Sequence, residues 1–171
     1  MKIFIEEQRF TQLWLHILLA ISFVVSMVFV ANDWYTADAT DSEAKRGFFV
    51  LLGGMVVVYG LIFSLKLKTR IDEKGIYYQF IPFHFSMKLI LWRDLENAYV
   101  RKYDAISEYG GWGIKGGAFW RKSKGVAYNV KGDLGLQLTL KTGKKILIGT
   151  QKEHEIKRIL STYYTTTNDE N

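Results

Sequence analysis

Two blocks of the chain hold no acidic or basic side chain except one histidine: LWLHILLAISFVVSMVFVA, Leu13–Ala31, which contains His16, and FFVLLGGMVVVYGLIFSL, Phe48–Leu65. A hydrocarbon layer of about 30 Å takes about 20 helical residues to cross, so each block is long enough to span it with little tilt. Each buried Leu, Ile, Phe or Val there contributes a few tenths of a kcal/mol, whereas a mid-membrane charge costs about 2.5–3.5 kcal/mol. Hiding both blocks inside a water-soluble domain would require a larger core than the rest of a 171-residue chain supplies. A cleaved leader is disfavoured, because Glu6 and Glu7 occupy its basic region and the first block exceeds the ~7–15 apolar residues of such a segment.

The link Asn32–Arg46 is short, so the two spans predict an antiparallel hairpin with both chain ends on one side. Six basic residues flank the hairpin on that side, Lys2, Arg9, Lys66, Lys68, Arg70 and Lys74, against Lys45 and Arg46 in the link. Positive charge stays cytoplasmic, which places both termini on the cytoplasmic side of the membrane. Trp14 then falls at the inner interface, and Trp34 and Tyr35 at the outer one, where amphipathic rings settle. Ser22 and Ser26 in the first span and Gly53, Gly54 and Gly60 in the second are the helix-packing candidates, serving either the hairpin itself or association between copies. His16 reads as a hydrated interfacial side chain rather than a proton relay.

From Lys66 onward 19 basic residues face 11 acidic ones, a charge balance that attracts an anionic leaflet or nucleic acid. The chain has no cysteine, which removes disulfides, thiolate metal sites and cysteine nucleophiles. This half reads as strands closed by a helix. GIYYQFI, Gly75–Ile81, is one strand; Phe85–Trp92 alternates, with Phe85, Met87, Leu89 and Leu91 on one face and Ser86, Lys88, Ile90 and Trp92 on the other; a third lies within Glu96–Tyr103. Leu134, Leu136, Leu138 and Leu140 alternate with polar residues, turn at Gly143 and return through KILIG, a half-buried antiparallel pair. Thr150 and Glu153 have the spacing of a capping box, and Ile156, Ile159, Leu160 and Tyr163 form one apolar stripe of a terminal helix. The organisation is therefore an N-terminal segment and hairpin over 1–68, a domain over 69–164, and a disordered tail over 165–171.

GIYY, LWRDLENAYV (Leu91–Val100), YGGWGIKGG and GLQLTLKTGKKILIGTQ before a terminal helix together resemble the bacterial pleckstrin-homology-like (PH-like) families, in particular small membrane proteins with two spans ahead of that domain. The resemblance covers roughly Leu13–Tyr164, and its motifs are structural. It implies an α+β membrane protein of a bacterial inner (plasma) membrane: a two-helix transmembrane hairpin, then a seven-stranded, bent antiparallel β-barrel capped by a C-terminal helix, with a non-catalytic binding or scaffolding role. Inositide-binding members carry Lys and Arg in the loop between their first two strands; here that loop, Pro82–His84, has neither.

In EYGGWGIKGG, Glu108–Gly117, a phosphate-cradling loop would need Ser or Thr after Lys115, where Gly116 stands. Gly111, Gly113 and Gly116 match a dinucleotide-type spacing, yet no helical pattern follows. The glycines read instead as bends, bulges or close backbone approaches, with Trp112 packed at the bend. Next, Phe119 and Trp120 precede Arg121, Lys122 and Lys124. This pattern suits a solvated hairpin tip, a lipid headgroup layer, a protein partner or, as the weakest choice, single-stranded nucleic acid. Trp112, Phe119, Trp120, Arg121, Lys122 and Lys124 are thus the candidate membrane or partner contacts. His16, His84 and His154 have no metal-ligand spacing, and Asp94, Glu96, Asp104 and Glu108 read as surface partners of Arg93, Arg101 and Lys102. The expectation is a module without catalytic residues, cofactor or metal, which recruits or assembles a partner at the membrane. The alternative is a homo-oligomer that alters permeability.

Overall fold

The computed structural model describes residues 2–36, 42–116 and 125–169, with side chains throughout except at 42–45 and 165–169. The chain is α+β and divides into two compact units, residues 10–64 and residues 1–9 with 65–171.

The first unit is a pair of helices, α1 (Leu13–Thr36) and α2 (Ser42–Ser64). Both are long and apolar enough to cross a membrane. Val30 is the only residue of α1 buried by protein, and none of Arg46–Ser64 is.

The second unit begins before the helices. β1 (Phe4–Arg9) pairs antiparallel with β2 (Lys66–Ile71), Phe4 opposite Ile71 and Arg9 opposite Lys66. The helical pair is therefore an insertion between two neighbouring strands. The boundary at residue 68 drawn from composition is corrected accordingly: residues 4–9 and 66–71 are strands, and the basic run from Lys66 to Arg70 is one of them. β1 looked like anchor flank because its inner face, Phe4, Glu6 and Gln8, carries two polar residues, all three buried.

β3 (Gly75–Ile81) and β4 (Lys88–Leu91) complete a four-stranded sheet in the order β1-β2-β3-β4. The loop Pro82–His84 joins β3 to β4, not the first two strands. A short 3₁₀ turn, Trp92–Asp94, leads into the second sheet of β5 (Leu95–Lys102), β6 (Gly113–Gly116), β7 (Val126–Asn129), β8 (Leu134–Leu140) and β9 (Lys145–Gly149), in the order β5-β8-β9-β7-β6. Nine strands among the described residues, and a parallel β7–β9 pairing, differ from the seven antiparallel strands that the resemblance implied. The parallel pair arises because β6 and β7 form their own hairpin and dock on the far side of β9 rather than continuing the β5–β8 edge.

β8 and β9 match the expected hairpin, with Leu136 opposite Ile148 and Leu138 opposite Ile146. They are buried more fully than alternation predicts: Gly135, Gln137 and Leu147 on the other face are also buried. The cover on that face is a cluster of Tyr103, Ala105, Tyr109, Ala127 and Leu147, with Trp112 against it.

The terminal helix α4 (Glu153–Asp169) buries Ile156, Ile159 and Leu160 as its stripe requires. Each such aliphatic side chain removed from water contributes about 1.5–3 kcal/mol. Its start differs from a capping box. The Thr150 hydroxyl donates to Glu6 Oε2 at 2.7 Å and accepts from the Lys152 N–H at 3.0 Å, while Glu153 pairs with Lys157 at 2.7 Å. A buried carboxylate from β1 competes for the hydroxyl, which no local spacing reveals. Residues 165–169, expected to be disordered, continue α4; residues 170–171 lie outside the described residues.

Besides the ring contact of Tyr78 with Tyr128 at 4.9 Å, two hydrogen-bonded seams join the sheets among the described residues. At one, Gln8 Nε2 donates to the Gly149 carbonyl at 2.7 Å, and Glu6 accepts from Thr150 and from the Gln151 N–H at 2.8 Å. At the other, the Trp92 indole donates to the Asp72 carbonyl at 2.9 Å, and its ring lies 6.2 and 6.3 Å from those of Tyr163 and Tyr164. A register irregularity at Glu96 in β5 leaves a carbonyl that accepts from the Tyr164 hydroxyl at 2.8 Å.

Candidate membrane and partner contact surfaces

In the helical unit, rings hold α1 to α2. His16 stacks on Phe63 at 5.4 Å, Phe23 meets Tyr59 edge-on at 6.2 Å, and Trp34 meets Phe48 at 5.6 Å. The Tyr59 hydroxyl donates to the Leu19 carbonyl. The three glycines do not make this contact. A Cβ built on Gly53, Gly54 or Gly60 would meet no atom within 4 Å, and the Ser26 hydroxyl donates to the Ser22 carbonyl of its own helix. The close approach within the hairpin expected of Gly53, Gly54 and Gly60 is thus replaced by aromatic pairs, and the three glycines face open space.

The glycine-rich stretch has a structural account. The Asp104 carboxylate accepts from the Ile106 and Ser107 N–H groups and starts α3 (Ala105–Tyr109); those backbone donors hold Asp104 below the usual carboxylate range. Gly110, at φ 79°, ends α3 in the left-handed conformation, where a Cβ is penalised. Gly116, at φ 95°, passes so close to the next strand that a Cβ would lie 2.1 Å from the Gly125 carbonyl oxygen. Between them Trp112 packs on the cluster that covers the second face of β8 and β9. Expected as a candidate contact, Trp112 is half-buried core cover.

Arg101 braces this corner. Its guanidinium forms a two-armed pair with Glu108, at 3.1 and 2.8 Å, and donates to Gln137 Oε1 and to the Lys102 carbonyl, each at 3.1 Å. Hydrogen bonding to Glu108 raises the Arg101 pKa further, so the guanidinium stays charged at any physiological pH. A cleft of about 630 Å³ opens beside it, lined by Lys102, Tyr103, Asp104, Ile106, Trp112 and Asp133 among others. Burial pushes the Tyr103 hydroxyl up to about 12, so it is a neutral wall of that cleft.

Phe119, Trp120, Arg121, Lys122 and Lys124 lie outside the described residues. The basic residues of β1 and β2 fall within them, on the outer face of the first sheet. Glu7 pairs with Arg9 at 2.8 Å, Lys68 at 3.6 Å and Lys66 at 3.7 Å, and the hydrogen bond from Arg9 holds its carboxyl below the usual range. Arg70 pairs at 2.9 Å with the buried Asp72.

One surface was missed by pattern reading. Of the stretch Phe85–Trp92 expected as one strand, only Lys88–Leu91 is strand; its Ile90 is buried and its Leu89 42% exposed, while Phe85, in the loop before it, is 100% exposed. Register decides this, because Ile90 pairs with Ile76, an inward residue of β3. The available signal was Phe-His-Phe after a proline, two large rings flanking a histidine in a turn. In comparisons with known proteins, no family model matches the chain, and no curated protein or solved structure matches it.

Proposed function

We propose that this chain is a membrane-anchored, non-catalytic binding module of PH-like build, which recruits or assembles a partner at the inner face of a bacterial plasma membrane. One observation carries the reading: two long apolar helices with almost no residue buried by protein are inserted between adjacent strands of a separately packed β domain. A core helix of a soluble domain hides its apolar residues; these leave theirs uncovered, and a bilayer is the solvent that suits them. The PH-like build is supported by a four-stranded meander, a second sheet joined to it at two seams, and a terminal helix packed on both. A binding role fits a domain whose partly buried ion pairs, Arg101–Glu108 and Arg70–Asp72, brace the fold. Tethering makes later contacts effectively intramolecular and strengthens weak ones.

Both termini are cytoplasmic on this reading, with the lipid bilayer as first partner, anionic headgroups beside the basic strands, and a protein as the recruited species. The test is threefold. The protein should remain in membranes through alkaline carbonate washing, and its C-terminal half should resist protease added outside intact cells. Crosslinking mass spectrometry in native membranes should recover a protein neighbour. Extraction by carbonate overturns the anchor, digestion from outside overturns the orientation, and absence of any crosslinked neighbour overturns recruitment.

The open space at Gly53, Gly54 and Gly60 favours a second reading, a homo-oligomer in which these glycines meet another copy and the assembly alters permeability. Substituting leucine at Gly53 and Gly60 should then abolish assembly. Under the recruitment reading the same variant keeps its partner.

A further inference from the structure

The end of the first sheet at which the helices are attached also carries the most exposed aromatic side chain among the described residues, Phe85. β3 ends at Ile81, opposite Lys66, and Lys66 lies opposite Arg9. From Arg9 the chain reaches α1 after three residues, and α2 returns to Lys66 through Leu65 alone. At 3.8 Å between successive Cα atoms, Lys66 is within about 8 Å of Ser64, whatever angle the two units adopt. The loop from Pro82 to Met87 extends from this end. The turn Asp72–Lys74 lies at the other, five steps along β2, or about 16 Å.

The loop turns its rings outward by construction. Phe83 is 62% and Phe85 100% exposed. Between them His84 is fastened inward: its Nδ1 accepts from the Phe80 N–H at 3.1 Å, its carbonyl accepts from Gln79 Nε2 at 3.0 Å, and its own N–H donates to the Phe80 carbonyl at 2.8 Å. Its ring lies 5.9 Å from that of Tyr78 and 5.3 Å from that of Tyr128. With His84 held, Phe85 stands free of the domain, while Phe83 keeps one edge against the buried Phe80, ring centroids 6.3 Å apart. Arg9, Lys66 and Lys68 lie across the adjoining strand ends with one carboxylate, Glu7, among them, and Lys88 opens β4. Exposed rings framed by cations are the chemistry of a headgroup layer, in which rings enter the acyl boundary and cations meet phosphate.

We infer that Phe83 and Phe85 are a membrane-inserting tip, entering the leaflet from which the hairpin emerges while Arg9 and Lys66 lie at the level of lipid phosphate. This rests on the hairpin spanning the bilayer. The occupant is lipid because chain connection brings that leaflet to this end of the sheet. Two helices and a ring-bearing loop then give the β domain three points of attachment and a restricted orientation.

The absence of cysteine allows single thiols to be placed in the full chain. Phe85→Cys, Glu73→Cys and Val56→Cys would each be labelled with a polarity-sensitive fluorophore and reconstituted into phosphatidylcholine–phosphatidylglycerol vesicles containing lipid with a nitroxide near the headgroup or near the chain end. The expected result is blue-shifted emission at position 85 quenched by the shallow nitroxide, quenching at 56 by the deep one, and neither change at 73. Quenching at 56 without it at 85 overturns the tip and leaves the anchor standing. No quenching at 56 overturns both. Equal shallow quenching at 73 and 85 also overturns the tip, since the sheet would then lie along the surface.

Discussion

Glu6 shows how much one buried carboxylate can organise. It is 5% exposed, lies on β1, and receives the Thr150 hydroxyl and the Gln151 N–H from a segment more than 140 residues away. Removing an acceptor from buried donors costs about 1–3 kcal/mol. Glu6→Ala should therefore destabilise the β domain by about that amount, read from chemical denaturation of the detergent-solubilised protein; an unchanged midpoint would show that the seam does not need it. His84 is the other residue with long reach. Burial, and secondarily the nearby Lys88 charge, lower its pKa from the ordinary 6.5. A folded value below the unfolded one means that the neutral ring is favoured by the fold. Its contribution is complete above pH 6.5 and is lost as pH falls through the folded value, because a protonated Nδ1 cannot accept the Phe80 N–H. An NMR titration of the imidazole should give a midpoint below 6.5, with amide exchange around Phe83–Phe85 accelerating below it.

Among the elements, glycines of similar appearance in the sequence behave oppositely. Gly116→Ala places a Cβ 2.1 Å from a backbone oxygen at φ 95° and should destabilise the β6–β7 hairpin by more than about 1 kcal/mol. Gly53→Ala meets nothing within 4 Å and should leave the helical pair at least as stable, since alanine is favoured over glycine in a helix by about 0.8–1.0 kcal/mol. Thermal unfolding of the two variants, followed separately in the β domain and the helices, checks both. α4 is the most predictable element, because its stripe is a period of its own sequence. β4 is among the least: alternation named its two faces correctly, but the choice of inner face came from pairing with β3.

For the whole molecule, the insertion has a direct consequence. Arg9 and Lys66 are opposite each other at the ends of β1 and β2, so a short Gly-containing turn should replace residues 10–65. That fusion is expected to be water-soluble and cooperatively folded. Residues 65–171 alone lack the strand bearing Phe4, Glu6 and Gln8 and should unfold at lower denaturant or aggregate. Equal stability of the two would mean that β1 is dispensable. The sequence by itself determined the two apolar helices, the β8–β9 hairpin and the α4 stripe, because each is written in a local periodicity or an uninterrupted apolar run. Only the tertiary structure decided that the first nine residues belong to the β domain, that Thr150 answers Glu6 rather than its own helix, and that Phe83 and Phe85 face outward. Those outcomes depend on which strand lies beside which, and hydrogen bonds between residues far apart in the chain leave no periodic trace along it.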